Sequence, residues 1–202
     1  MNLPNKISLT RIFMIPIFVV VFFLNDVLPF AYGIAAIIFA LAAFTDFIDG
    51  YIARKYKLVT NLGKFLDPIA DKVLVSTAMI LLLTIQTSLY GVFPQIAKEL
   101  YVAMAVAICV IMARELIISA FRQIAAARGL VLAAEKLGKY KTTFQDVAIF
   151  VLLLAAGVLE YHFATGKVLV CIGYVLFAIA TILTVWSGIS YVVKNKQVLK
   201  DQ

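Results

Sequence analysis

Long apolar stretches separated by short polar segments constrain the fold of this chain more than any other feature. Hydrophobic residues make up 64% of the 202 residues, and the mean hydropathy is +1.03, far above that of a soluble globular domain. The apolar stretches cover about residues 9–24, 30–52, 63–85, 95–128, 139–161 and 167–194. A helix rises about 1.5 Å per residue, so such stretches suit a bilayer core. We therefore predict an all-α polytopic membrane protein with six transmembrane helices. Little polar sequence remains for a second domain, so residues 1–202 are expected to form one domain.

The basic residues are distributed unevenly between the two sides of these helices. Six crossings place both termini on one side, and of the 18 Lys and Arg residues only Lys98 and Lys167 fall on the opposite side. Basic residues concentrate on the cytoplasmic side of membrane proteins, so both termini are predicted to be cytoplasmic. Because the basic residues lie between apolar stretches, the net charge of +7 indicates membrane topology and no nucleic-acid partner.

Four aspartates lie where the second apolar stretch ends and the third begins. Asp46 and Asp49 are three residues apart, and Asp67 and Asp71 are four apart, so on helices each pair shares a face. Charged groups at membrane depth each cost roughly 2.5–3.5 kcal/mol, so the cluster needs compensating positive charge. Divalent cations such as Mg²⁺ accept carboxylate ligands together with substrate phosphates, which indicates a two-metal phosphoryl-transfer site. The alternative is an ion or proton pathway in a transporter.

The spacing of the acidic residues is embedded in a longer motif. That motif is Asp46-x2-Asp49-Gly50-x2-Ala53-Arg54-x8-Gly63-x3-Asp67-x3-Asp71. It resembles the signature of the CDP-alcohol phosphotransferases, with every spacing kept. Four further segments resemble the bacterial members of that family that use glycerol 3-phosphate: Pro4-Asn5-x2-Ser8-x2-Arg11, Ala113-Arg114-Glu115, Ser119-x2-Arg122 and Gly138-Lys139-x-Lys141-Thr142. The likeness covers essentially the whole chain, with Ser8 standing where Thr is expected more often.

The resemblance implies transfer of a phosphatidyl group from CDP-diacylglycerol to sn-glycerol 3-phosphate, with release of CMP. Two Mg²⁺ or Mn²⁺ ions would be held by Asp46, Asp49, Asp67 and Asp71, and Asp71 would also be the base that deprotonates the attacking hydroxyl. The site would face the cytoplasm from a bacterial inner membrane. A homodimer is implied as well.

Two groups of substrate-binding residues follow from the same resemblance. CDP-diacylglycerol is expected to contact Asn5, Ser8, Gly50, Arg54 and Thr60. The phosphate of the acceptor is expected to bind a separate cationic pocket formed by Arg114, Arg122, Lys139 and Lys141. For any one of these cations, the simpler interpretation is membrane topology alone.

Other functions and some structural roles remain open in the sequence. A sister enzyme could use inositol phosphate, serine or phosphatidylglycerol as the acceptor, and an ion-coupled transporter is the alternative of a different class. Glu115 is a candidate structural partner for a neighbouring Arg. Trp186 and Tyr191 are expected in the interfacial aromatic belt, and Cys109 and Cys171 as small buried hydrophobes without a disulfide.

Overall fold

The structure is a computed structural model that describes the backbone of residues 3–55, 61–127 and 136–199. Side chains are described over residues 9–45, 69–70, 72–85, 88–126 and 137–197. These described parts are helical and contain no β-strand, which confirms the all-α prediction.

Six α-helices run through the described residues, close to the six predicted stretches. Their bounds are α1 Leu3–Phe23, α2 Ala31–Lys55, α3 Asn61–Leu82, α4 Ala97–Ala127, α5 Lys136–Leu159 and α6 Phe163–Lys194. A π-helical turn at Gln86–Tyr90 and a 3-10 turn at Pro94–Ile96 connect α3 to α4, and a second 3-10 turn, Lys196–Leu199, follows α6. The two proline-containing helices, α1 with Pro16 and α3 with Pro68, are helical on both sides of the proline.

Three helical segments of the described chain are long and apolar enough to cross a membrane: Pro94–Ala126, Leu137–Leu159 and Phe163–Lys194. Shorter apolar segments cover Leu9–Phe23, Ala31–Thr45 and Lys72–Leu82. The helices also expose large apolar side chains that a soluble protein would bury. Among the most exposed are Phe13, Leu116, Ile182, Trp186 and Ile189. This apolar exterior is what a lipid-facing surface requires, and it is consistent with a membrane protein.

The largest core cluster forms where α1, α2, α3 and α5 meet. Phe18 and Phe39 pack there with ring centroids 6.2 Å apart, and α6 packs along the outer side of α5. Glycines let these helices approach closely, as is common in membranes. A Cβ built on Gly157 of α5 would lie 2.7 Å from the backbone nitrogen of Gly33 in α2. At this point α2 and α5 are too close for an added side chain.

The two cysteines differ from the prediction in one respect. Cys109 and Cys171 are free, as expected, but both are exposed on the outer surfaces of α4 and α6. The expectation that they are buried was wrong, because an apolar sequence context does not separate core from lipid-facing positions when both environments are apolar.

Candidate active site

The four motif aspartates fall on two helices that contact each other. Asp46 and Asp49 lie in the second half of α2, and Asp67 and Asp71 lie in the first half of α3. Their side chains lie outside the described part of the chain, as do the side chains of Asn5, Ser8 and Arg54 and the whole of Thr60; of Gly50 the structure describes the backbone. The backbone therefore brings the two acidic segments onto adjacent helix ends, and the ligand roles of these residues stay predictions.

A cavity of about 100 Å³ opens between α3, α4 and α5. Its wall begins at Lys72 and Val75, directly after Asp71 and one helical turn beyond it. The polar side chains that line it are Lys72, Ser76, Glu115, Lys141, Thr142, Gln145 and Asp146. Methionines and aliphatic residues complete the wall. The cavity thus combines two ammonium groups with carboxylates, hydroxyls and an amide in an otherwise apolar bundle.

Glu115 connects two of the four cationic side chains that were predicted to bind the acceptor phosphate. One carboxylate oxygen, Oε1, accepts hydrogen bonds from Lys141 Nζ of α5 and from Arg114 Nη1 at 2.9 Å. Lys141 is only 3% exposed, and a charge that is so deeply buried requires an ionic partner. The expected pairing of Glu115 with a neighbouring Arg is confirmed, and the same carboxylate also ties α4 to α5.

Lys72 joins α3 to the same segment of α4. Its ammonium donates to Ser119 Oγ, and that hydroxyl donates to the backbone carbonyl of Glu115 at 2.6 Å. Glu115 is therefore at the end of two chains of contacts, one from α3 and one from α5. Lys72, which directly follows the predicted base Asp71 in the sequence, is therefore held against α4.

Arg114 faces α6 as well as the side chain of Glu115. Its Nη2 donates to Ser187 Oγ at 2.9 Å, and Ser187 is only 1% exposed. A Cβ built on Gly188 would lie 3.0 Å from Arg114 Cγ and 3.3 Å from Nε. Arg114 also lines an apolar groove of about 490 Å³ between α4 and α6. It is linked to the cavity through Glu115, and it does not line the cavity itself.

The remaining two predicted acceptor residues lie apart from the cavity wall. Arg122 donates from Nε to the hydroxyl of Tyr191 at 3.3 Å, and its guanidinium lies 5.3 Å from the centre of that ring. Tyr191 is buried, so its expected place in the interfacial belt was wrong, whereas Trp186 is exposed as that expectation requires. Lys139 is exposed, two residues before the buried Lys141.

The described side chains contain no cluster of three or more His, Cys, Asp or Glu residues that could hold a metal ion. The four motif aspartates lie outside those described side chains, and their residue type offers the carboxylate oxygens that Mg²⁺ and Mn²⁺ prefer. The backbone positions of α2 and α3 fit such a site, because they gather four carboxylate-bearing residues on two contacting helices.

Comparison with known proteins assigns this arrangement to a class. The family model for CDP-alcohol phosphatidyltransferase matches residues 1–186, and the chain belongs to that family. A relative from Bacillus subtilis (strain 168), named CDP-diacylglycerol–glycerol-3-phosphate 3-phosphatidyltransferase, is 39% identical over 98% of this chain and 97% of its own. Relatives with the same name from Salmonella paratyphi A and Shigella flexneri serotype 5b are 38% identical, each over 100% of this chain and 98% of its own length.

Several residues of the site carried no predicted role. Lys72 follows Asp71 directly, and Ser119 belongs to a segment that resembles the family, yet neither pointed to a helix contact by itself. Gln145 lies four residues after Lys141, so a polar stripe on one face of α5 was a usable signal. Ser187 has no such signal, because a serine in an apolar helix is commonly satisfied by its own backbone.

Proposed function

We propose that this protein transfers the phosphatidyl group of CDP-diacylglycerol to sn-glycerol 3-phosphate, giving phosphatidylglycerophosphate and CMP. Full-length relatives at 38–39% identity carry the name of that activity. The observation that carries the proposal for this chain is the cavity between α3, α4 and α5, which begins next to Asp71 and holds the ammonium groups of Lys72 and Lys141. An anionic acceptor would find its counter-charges there.

In the proposed reaction, a hydroxyl oxygen of glycerol 3-phosphate forms a bond to the β-phosphorus of the donor. The bond between that phosphorus and the bridging oxygen of the pyrophosphate breaks, and CMP leaves with the electron pair. Asp71 takes the hydroxyl proton as general base. When bound by Asp46, Asp49, Asp67 and Asp71, two Mg²⁺ or Mn²⁺ ions would supply charge stabilisation for the pyrophosphate.

The donor is proposed to bind along the acidic segment of α2. Arg54 suits a phosphate because its guanidinium can donate two parallel hydrogen bonds, and Gly50 allows close approach of the nucleotide. Asn5, Ser8 and Thr60 are proposed to add polar contacts to the same ligand. Gly50 and Arg54 stand at positions of the family motif, and Asn5 and Ser8 belong to a segment that resembles the family. Thr60 is included because it lies six residues after Arg54.

The acceptor phosphate is proposed to bind near Lys141, with Arg114 held in reach by Glu115. Arg122 and Lys139 would contribute from the cytoplasmic side, where Arg122 is held by Tyr191. Cations are proposed for this role because the acceptor carries a phosphate dianion that must be separated from the carboxylate-rich metal site.

The membrane arrangement is part of the same proposal. Six crossings with both termini in the cytoplasm are supported by the bias of basic residues, and a bacterial inner membrane is supported by the bacterial relatives. A single domain and a homodimer, both expected from the sequence and its resemblance, complete the proposal.

The first test is CMP release by purified protein in detergent with CDP-diacylglycerol, Mg²⁺ and one of four acceptors. We expect release with glycerol 3-phosphate and not with inositol 1-phosphate, serine or phosphatidylglycerol. Release with another acceptor would keep the family and overturn the acceptor. No release with any acceptor, while a relative works in the same assay, would favour the transporter alternative.

The second test addresses the base. Asp71→Asn removes the proton acceptor and is expected to lower kcat by about 10²–10⁴-fold. Its elution profile from size-exclusion chromatography in detergent should be unchanged, which shows that the protein is folded. Asp26→Asn, in an exposed turn outside the site, is the matched control and should keep full activity. Near-normal turnover by the Asp71 variant would remove this residue from the mechanism.

A further inference from the structure

Gln145 is a buried amide in the wall of the cavity whose carbonyl oxygen has no hydrogen-bond partner among the described residues. The side chain is only 3% exposed. Its Nε2 lies 3.5 Å from the sulfur of Met79, which is a weak acceptor. One strong hydrogen-bonding atom, Oε1, is therefore buried at the cavity without a donor.

An orphaned carbonyl in this position is unfavourable unless an occupant of the cavity satisfies it. Leaving a buried polar group without a partner costs about 1–3 kcal/mol, and helix α5 could carry an apolar residue here at no such cost. The cavity wall also carries N–H and O–H donors, on Lys72, Ser76, Lys141 and Thr142, but none of them hydrogen-bonds this oxygen. A donor that comes from a bound ligand would remove the penalty.

The surroundings of Gln145 specify the chemistry of that ligand. Gln145 lies four residues, about one helical turn, after Lys141, and both line the cavity on the same face of α5. The cavity therefore presents an ammonium group and, one turn further into the helix, a hydrogen-bond acceptor. A small molecule with an anionic group and a hydroxyl a few bonds away matches this pair.

We propose that Gln145 Oε1 accepts a hydrogen bond from the hydroxyl of the acceptor that does not react, which in glycerol 3-phosphate is the secondary hydroxyl at C2. This inference rests on the proposed function, because it takes the acceptor from there. Gln145 is then a specificity-determining residue: the buried amide is satisfied by a polyol phosphate and left unpaired by an analogue without the second hydroxyl. Sites built around a substrate hydroxyl reject such analogues strongly.

The test compares glycerol 3-phosphate with 3-hydroxypropyl phosphate, which keeps the phosphate and the reacting hydroxyl and lacks the C2 hydroxyl. In the wild-type protein we expect kcat/KM for the analogue to be about 10–100-fold lower than kcat/KM for glycerol 3-phosphate. In Gln145→Met, which keeps the side-chain length, kcat/KM for glycerol 3-phosphate should fall and the ratio of the two acceptors should shrink to within about 3-fold. The control is Gln123→Met on the exposed surface of α4, which should keep the full ratio.

Three results would overturn the inference. The wild-type protein could use both acceptors equally well. The Gln145→Met protein could keep the full ratio of kcat/KM between the two acceptors. Finally, the Gln145→Met protein could lose activity equally on both acceptors, which is the result that a purely structural role or a bound water would give. If Gln145→Met does not fold, Gln145→Leu replaces it, because it also removes the accepting oxygen and should also shrink the ratio. Failure to release CMP with glycerol 3-phosphate in the unchanged protein would instead refute the proposed function.

Discussion

Replacing Glu115 by glutamine tests whether its carboxylate holds α4 and α5 together. The substitution keeps the shape and one accepting oxygen, but it removes the negative charge that pairs with the cationic groups of Lys141 and Arg114. Removing one partner of a fully buried ion pair costs about 3–5 kcal/mol, because the other charge is left buried and uncompensated. Glu115 is 29% exposed, and solvent screening reduces the expected loss to about 1–3 kcal/mol.

The assay is thermal unfolding in detergent, combined with a double-mutant cycle. For a chain of this size each kcal/mol shifts Tm by roughly 2–4 °C, so Glu115→Gln should lower Tm by about 2–12 °C. Combining it with Lys141→Met should be markedly less harmful than the sum of the single changes, because both remove the same contact. Glu160→Gln, at an exposed position, is the control. An unchanged Tm for Glu115→Gln, or full additivity with Lys141→Met, would refute the assignment of Glu115 as the shared partner.

Three further substitutions, one of them with a matched control, probe the packing around the site. Gly157→Ala should lower Tm by several degrees, because the added Cβ would lie 2.7 Å from a backbone nitrogen of α2 and the packing would have to shift. A Cβ added to Gly138 in the same helix would meet no atom within 4 Å, so Gly138→Ala is the control and should be neutral or slightly stabilising in the same melt. Gly188→Val should displace Arg114 and raise KM for glycerol 3-phosphate about 3–30-fold, with kcat less affected. CMP release measures both constants, and an unchanged KM would argue against Arg114 as an acceptor ligand. Ser187→Ala removes the acceptor for one Arg114 nitrogen and should lower stability by about 1–3 kcal/mol, measured by the loss of Tm; wild-type Tm would contradict the contact.

The fold was largely accessible from the sequence because apolar length is a strong signal. Each of the six predicted stretches contains most of an observed helix, and the largest difference at a helix start is in α1, which begins at Leu3, six residues before the predicted apolar stretch. The stretch was drawn where hydrophobicity rises, but a helix can extend past the apolar core into polar sequence. The placement of the acidic residues on α2 and α3 was also predictable, because the family motif covers residues that are close together in the sequence.

The contacts between helices were not accessible in the same way. The apolar stretches around Cys109 and Cys171 give no indication of which helix face is lipid-exposed. Tyr191 is buried against Phe121 and Arg122 of α4, which lie far from it in the sequence. Likewise, the sequence grouped Arg114 with Lys141 by charge, but only the packing of α4 against α5 and α6 separates a residue that lines the cavity from one that supports it. Local spacing predicts helix faces, and tertiary packing decides what each face meets.

The apolar outer surface of α1, α4 and α6 determines how the concentration of a lipid substrate must be expressed. A protein with this exterior is dissolved in the same two-dimensional phase as a diacylglycerol-based donor, so the two meet by lateral diffusion within a bilayer or a mixed micelle. The rate should therefore follow the mole fraction of the donor in that phase and not its amount per litre. Adding inert detergent at fixed total donor would dilute the substrate and slow turnover, although nothing in the aqueous solution has changed.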